Sequence, residues 1–333
     1  MEIAVIGAGS WGTALAKVLA DKGYATTLWG RDAAHLAEIE RDRVNARYLP
    51  QAKLPPTLKA TADLESAVAG KAVVVSVVPS HTVRDVFGRA GKLMAPDAMV
   101  ISASKGIENE SLATMDEVLK EVLPGKIGTR LGFLSGPSFA KEVGAGLPTA
   151  VVLASRERRV ADEGAALFQA ERFRVYTSDD VAGVEFGGAL KNVMAIAAGV
   201  ADGLGLGNNA RAALITRGLA EISRIAVRKA ANPLTLAGLA GLGDLVLTCT
   251  GDQSRNRSVG LGLGRGQTLA QVLAGMSQVA EGVKTTKSAH DLAARLGVDM
   301  PITRAMYRVI YENVPAADVL VELLGRQPKH ELA

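Results

Sequence analysis

The chain has 333 residues, 48% of them hydrophobic and 22% charged, which is material for two domains with at least one sizeable core and is too apolar for disorder. Its net charge of +4 is spread over 38 basic and 34 acidic residues without a basic block, and aromatic residues make up only 4%, so no surface for nucleic acid is expected. Cys249 is the one cysteine, which excludes a disulfide framework and a cysteine-based metal site, fits a reducing cytosol and leaves no metal expected.

The first element is a short apolar strand at 2–6 that runs directly into Gly7-Ala8-Gly9-Ser10-Trp11-Gly12, followed by an amphipathic helical stretch at 13–22. Strand, glycine loop and helix stand in the order a dinucleotide fingerprint requires. Gly7 permits the tight turn, Gly9 lets a pyrophosphate approach the backbone, and Gly12 lets the helix pack against the strand. The plainer alternative is a glycine-rich turn without a ligand. With strand residues starting at position 2, no signal peptide is expected ahead of the fold.

The second strand, 25–29, ends in Leu28-Trp29-Gly30-Arg31-Asp32. An acid at this place binds the 2′-hydroxyl of the adenosine ribose, whereas an arginine accommodates a 2′-phosphate. Arg31 therefore favours NADPH, and Asp32 leaves NADH use open. Further apolar runs at 72–78, 99–103, 131–135 and 149–153 alternate with helical stretches, the pattern of a mostly parallel sheet covered on both faces. These runs are too short to cross a bilayer, so no membrane span and a soluble protein are expected.

Two strand ends in this half carry polar groups where open α/β sheets bind ligands. Lys105 follows the strand 99–103 in Ser104-Lys105-Gly106, and Leu134-Ser135-Gly136-Pro137-Ser138-Phe139-Ala140 follows the next. The alternatives are a solvated loop lysine and simple N-capping by Ser138. A last strand at 173–177 precedes a change of texture. From 179 on the sequence is helical and rich in Ala, Gly and Leu, with stops at Asn232-Pro233, Met300-Pro301 and Val314-Pro315. The expected architecture is α/β: an N-terminal Rossmann-type domain at 1–178 followed by an all-α domain at 179–333, with residues 325–333 as a polar tail.

In the helical half, Lys191 lies in a run of small residues, Gly187-Gly188-Ala189-Leu190-Lys191-Asn192-Val193, with few positions suited to a charge. A partly desolvated lysine can donate or accept a proton near neutral pH, although a polar stripe shared with Asn192 reads the same. The densest polar cluster follows Gly241-Leu242-Gly243-Asp244-Leu245 and runs from Thr248 to Arg257. Arginine, serine and asparagine together suit a phosphate, and Asp244 among apolar neighbours calls for a polar partner. A hydrated loop with a helix cap is the alternative.

These segments together resemble the bacterial-type NAD(P)-dependent glycerol-3-phosphate dehydrogenases over essentially the whole chain. The resemblance rests on the glycine loop with Thr13-Ala14-Leu15, on Gly136-Pro137-Ser138-Phe139-Ala140-Lys141-Glu142, on Ala189-Leu190-Lys191-Asn192-Val193 and on residues 241–259. It implies reversible reduction of dihydroxyacetone phosphate to sn-glycerol 3-phosphate with NADPH or NADH, for phospholipid synthesis in the cytoplasm. It makes Lys191 the general acid in reduction and the base in oxidation, beside Lys105 and Asp244. Gly136, Ser138, Ser254, Arg255 and Asn256 would hold the small phosphorylated substrate. Ser10, Trp11, Arg31, Lys105, Ala140, Arg255, Val279 and Glu281 would contact the cofactor. Position 31 varies between His and Arg among relatives, and Ser138 stands where relatives can carry Thr. Nothing in the pattern speaks against a homodimer.

Two other functions compete. Another two-domain hydroxyacid dehydrogenase, such as one acting on 3-hydroxyacyl thioesters, would call for a catalytic histidine. Here His35, His81, His290 and His330 all lie outside the signature segments, and only His81 is near a strand end. A non-catalytic NADPH sensor would leave Lys191 and the polar cluster without a task.

Overall fold

The computed structural model describes residues 1–276, 280–327 and 330. In the first half the strands are β1 (Glu2–Ile6), β2 (Ala25–Trp29), β3 (Val44–Asn45), β4 (Leu49–Lys53), β5 (Leu58–Thr61), β6 (Val73–Ser76), β7 (Met99–Ser102), β8 (Leu131–Ser135), β9 (Thr149–Ala154) and β10 (Phe173–Ser178). The helices among them are α1 (Ser10–Asp21), α2 (Ala33–Asp42), α3 (Leu64–Val68), α4 (Val83–Ala90), α5 (Met115–Val122), α6 (Ala140–Gly144) and α7 (Arg158–Phe168).

Eight strands form one sheet in the order β10-β9-β8-β7-β6-β1-β2-β5, and β3 pairs with β4 in a separate hairpin. Only the β8–β9 pair of the large sheet is antiparallel. β1 lies in the interior because it is apolar on both faces: residues 3–6 are fully buried. From β1 the chain builds outward through β2 to β5, then returns to β6 and builds the other way. The two directions part between β1 and β6, which opens a crevice at the carboxyl ends of these strands. All seven expected strands form. β5 and the β3–β4 hairpin were not expected from the sequence; they are short, and β4 buries only Leu49 and Ala52 and has no continuous apolar run.

The second half is helical: α8 (Val181–Gly203), α9 (Gly207–Arg228), α10 (Pro233–Leu236), a π-helical turn at Leu239–Gly243, α11 (Asp244–Thr250), α12 (Arg255–Gly264), α13 (Leu269–Ala274), α14 (Glu281–Leu296), α15 (Pro301–Tyr311) and α16 (Ala316–Leu324). Asp180 starts α8 by accepting the Gly183 N–H. α8 is the centre of this half, and α9, α10, α11, α12, α14 and α15 pack against it. It is long and apolar enough to cross a membrane, but 89% of its apolar window is buried inside the protein, as a core helix requires. A second apolar stretch of that length, Pro233–Thr250, is 39% buried and comprises α10, the π turn and α11.

Candidate active site

The glycine loop sits at the sheet crevice. Gly7 has φ +129°, and a Cβ there would lie 2.6 Å from the Val77 carbonyl oxygen, so β1 turns against the end of β6 with no room for a side chain. A Cβ on Gly12 would come within 1.8 Å of the Gly7 carbonyl. A Cβ on Gly9 would meet nothing within 4 Å: the loop backbone faces open space there. Gly9 is also the N-cap of α1 and brings no side chain to cap its N–H groups. The Trp11 Nε1 donor is buried with no partner among the described residues. An open glycine backbone ahead of a bare helix N-terminus is what a pyrophosphate needs, so these residues fit a dinucleotide.

Gly30 packs its Cα side against Ala8 of this loop, and exposed Arg31 follows it. Asp32 is already occupied: it accepts the His35 N–H as the N-cap of α2 and faces Arg47 at 3.5 Å. The acid that left NADH use open thus has a structural task, while Arg31 stays exposed. His81, in the turn after β6, faces Arg31 and Lys284, and its burial together with these cations holds its pKa below the usual histidine value.

The centre of the site is Asp244, the first residue of α11, 1% exposed. It joins the two halves of the molecule. Lys105, from the loop after β7, donates to Oδ2 at 2.7 Å, and Lys191, from the middle of α8, donates to Oδ1. Lys191 also donates to Thr248 Oγ1 at 3.0 Å, one turn along α11, and Lys105 lies 3.4 Å from the Gly136 carbonyl oxygen. Burial pulls the Lys191 amine down to about 8; Asp244 opposes this and Lys105 adds to it. For Asp244 burial works upward, and the two ammonium groups outweigh it and hold the carboxyl below its ordinary value.

The residues expected to hold the substrate lie after β8 and at the start of α12. Gly136 has φ +137°, and a Cβ there would sit 2.9 Å from the Val151 Cα. Ser138 Oγ donates to the Gly136 carbonyl at 3.0 Å instead of capping a helix; the N-cap of α6 is Phe139, and Ala140 is its first residue. Ser254 is buried and caps α12, accepting the Arg257 N–H. Asn256 donates to Asn192 Oδ1 and accepts the Gly282 N–H, both at 2.9 Å, and so ties α12 to α8 and α14. Burial pushes Glu281 up to about 7 against the pull of Arg255, Lys105 and Lys191. Val279 lies outside the described residues. Arg257, the last residue of the polar cluster, is held by Asp202 and Asp252 and serves the fold. Thr248 and Asn192 emerge as partners that their types alone did not single out; the signal was their place beside Asp244 and Lys191 in the two polar segments.

Fold and site define a class: a two-domain nicotinamide dinucleotide dehydrogenase, with a Rossmann sheet joined to a helical half that carries a buried lysine. The family model of the NAD-dependent glycerol-3-phosphate dehydrogenase N-terminus matches residues 2–161, and that of the C-terminus matches residues 180–321. The chain is 54% identical to a glycerol-3-phosphate dehydrogenase [NAD(P)+] of Anaeromyxobacter sp. (strain K), each covering 100% of the other, and 54% identical to that of Geobacter metallireducens (99% of this chain, 98% of the relative). The crystal structure of glycerol-3-phosphate dehydrogenase from Coxiella burnetii superposes with a TM-score of 0.94 at 43% identity, covering 98% of this chain and 99% of the other. The chain belongs to the NAD(P)-dependent glycerol-3-phosphate dehydrogenase family.

Proposed function

We propose that the chain reversibly reduces dihydroxyacetone phosphate to sn-glycerol 3-phosphate in the cytoplasm, supplying glycerophospholipid synthesis, with residues 1–178 holding the cofactor and 179–333 the acid–base lysine. The observation that carries this reading is the meeting of Lys105 and Lys191 on Asp244 at the strand ends beside the glycine loop. Bound NAD(P)H supplies the hydride in reduction, and NAD(P)+ accepts it in oxidation. The proton falls to the chain. As the ketone oxygen becomes an alkoxide, Lys191 Nζ gives it a proton and the Lys105 ammonium stabilises the charge as it forms. Asp244 keeps the two cations together against their repulsion. Gly136, Ser138, Ser254, Arg255 and Asn256 grip the substrate, and its phosphate fixes the ketone in register with the lysines. Arg31 favours NADPH at the adenosine end.

Following NADPH absorbance with dihydroxyacetone phosphate and with dihydroxyacetone tests the reading. Turnover of the first, and a loss of kcat/KM of several orders of magnitude for the second, is expected. No turnover of either would leave a cofactor-binding sensor. In the same assay Arg31→Ala should raise KM for NADPH more than for NADH; equal effects would remove that assignment.

A further inference from the structure

A small cavity lies beneath Lys105, between the ends of β7 and β8 and the underside of α8, with room for about one water. Its polar walls are unusual. Ser102 and Ser135 both line it, and the Oγ of each is a buried hydroxyl without a hydrogen-bond partner among the described residues. Ser135 Oγ points at the α8 backbone, where a Cβ on Gly188 would come within 2.5 Å of it. Lys105 passes over the same glycine, 3.6 Å from that position at its Cδ. The other polar residues of its wall are Ser104, whose Oγ donates to the Val78 carbonyl at 2.6 Å, and Glu185, less than two turns ahead of Lys191 on α8. Buried hydroxyls in native proteins find a partner, and a polar cavity of this size bordered by several hydrogen-bonding groups is a water site.

We propose that Glu185 is a positioning residue that, through a water held by Ser102 and Ser135, returns a proton to Lys105 and from there to Lys191 after each reduction. The inference rests on the reading of Lys191 as the proton donor. The balance is simple. Lys191 loses one proton to the product hydroxyl, Lys105 passes one to Lys191, the water passes one to Lys105, and Glu185 passes one to the water. Glu185 is then refilled from solvent, so the net change is one solvent proton on the product oxygen.

The surroundings of Glu185 suit a store. Its Oε1 accepts the Asp116 N–H at 2.9 Å at the start of α5. Asp116, itself paired with Lys120 and Arg156, and Glu117, paired with Lys229, face it from α5, and Lys105 borders the cavity from the β7 loop. Lys191, Asp244 and Glu281 lie beyond Lys105. Burial, with Asp116 adding to it, pushes the Glu185 carboxyl up to about 8, so at neutral pH it carries a proton that it can give.

Glu185→Gln keeps the side-chain volume and the acceptor for Asp116 but has no acidic proton. Steady-state reduction of dihydroxyacetone phosphate by this variant should fall by about tenfold, with KM within a factor of about two. The decline with rising pH should begin at lower pH than in the wild type, and the solvent deuterium isotope effect on kcat should increase. The double variant Ser102→Ala/Ser135→Ala should show the same signature, and it decides the matter if Glu185→Gln does not fold. Rates, pH profile and isotope effect like the wild type in both would overturn the relay, and so would an equal loss at every pH with an unaltered isotope effect, which is the mark of a purely structural role. A wild-type enzyme inactive on dihydroxyacetone phosphate would instead reject the function proposed above.

Discussion

As the proposed acid and base, Lys191 has to hold a proton it can also give away, and its position on α8 sets that balance. An ordinary lysine, with its pKa above 10, would be a poor acid at neutral pH. Taking the amine out of water lowers its pKa to about 8, and Asp244 keeps it from falling further. The sign of the pH response follows. Reduction needs the protonated amine, so its rate should hold below about pH 8 and fall above it, whereas oxidation needs the neutral amine and should rise through the same range. Lys191→Ala should lower kcat by a factor on the order of 10²–10⁴ while NADPH still binds, and it should erase this step in the pH profile. Measuring kcat in both directions from pH 6 to 10, with cofactor affinity by fluorescence titration, checks it; turnover within a few-fold of the wild type would refute the role. In the sequence Lys191 stood out because a charge was lodged among small apolar residues, and Asp244 because it needed a partner. That the partners are each other, 53 positions apart, is set by tertiary contact and has no local pattern.

At the scale of elements, the site depends on how closely α12 lies along α8. The contact is backbone to backbone: a Cβ on Gly260 would come within 1.9 Å of the Ile196 carbonyl oxygen, and one on Gly199 within 2.0 Å of the Arg257 carbonyl oxygen. It also brings Asn256, at the start of α12, to Asn192 beside Lys191 on α8, to which it donates at 2.9 Å. Gly260→Ala must push the helices apart, which should cost about 3 kcal/mol or more, lower Tm by several degrees and raise KM for dihydroxyacetone phosphate. Gly275→Ala, whose Cβ would make only an ordinary 3.6 Å contact, is the control and should leave KM where it was. Thermal melts and Michaelis curves of the two variants decide this. The glycines of the first loop could be read from order alone, because strand, loop and helix follow one another in the chain. The α8 and α12 glycines could not, since their reason is a helix about 60 residues away. The same applies to β5: of its residues Leu58–Thr61 only Leu58 is buried, and the pairing with β2 supplies what the pattern lacks.

For the molecule as a whole, the change of texture near residue 178 marks a change of architecture, yet the cores cross that line. Val181, Val184 and Ala240 from the helical half are buried in the cluster that contains Val74, Val100 and Phe133 of the sheet. In return Ile107 and Leu112, from the loop after β7, belong to the core round α8. Polar ties reinforce the exchange: Lys105 with Asp244 and Lys229 with Glu117, both at 2.7 Å, and Arg295 donating to the Ser111 carbonyl at 3.2 Å. A fragment ending at 178 would expose the face that α8 covers, and one starting at 179 would lose the apolar residues that the β7 loop contributes to its core. Interdomain contacts of the usual polar kind let domains unfold separately; shared apolar clusters do not. The full chain should therefore unfold in one calorimetric transition, with calorimetric and van't Hoff enthalpies in agreement, and residues 1–178 expressed alone should lack a cooperative melt. Two resolved transitions in the full chain, or a fragment with its own sharp transition and near-UV signal, would show that the halves are energetically independent.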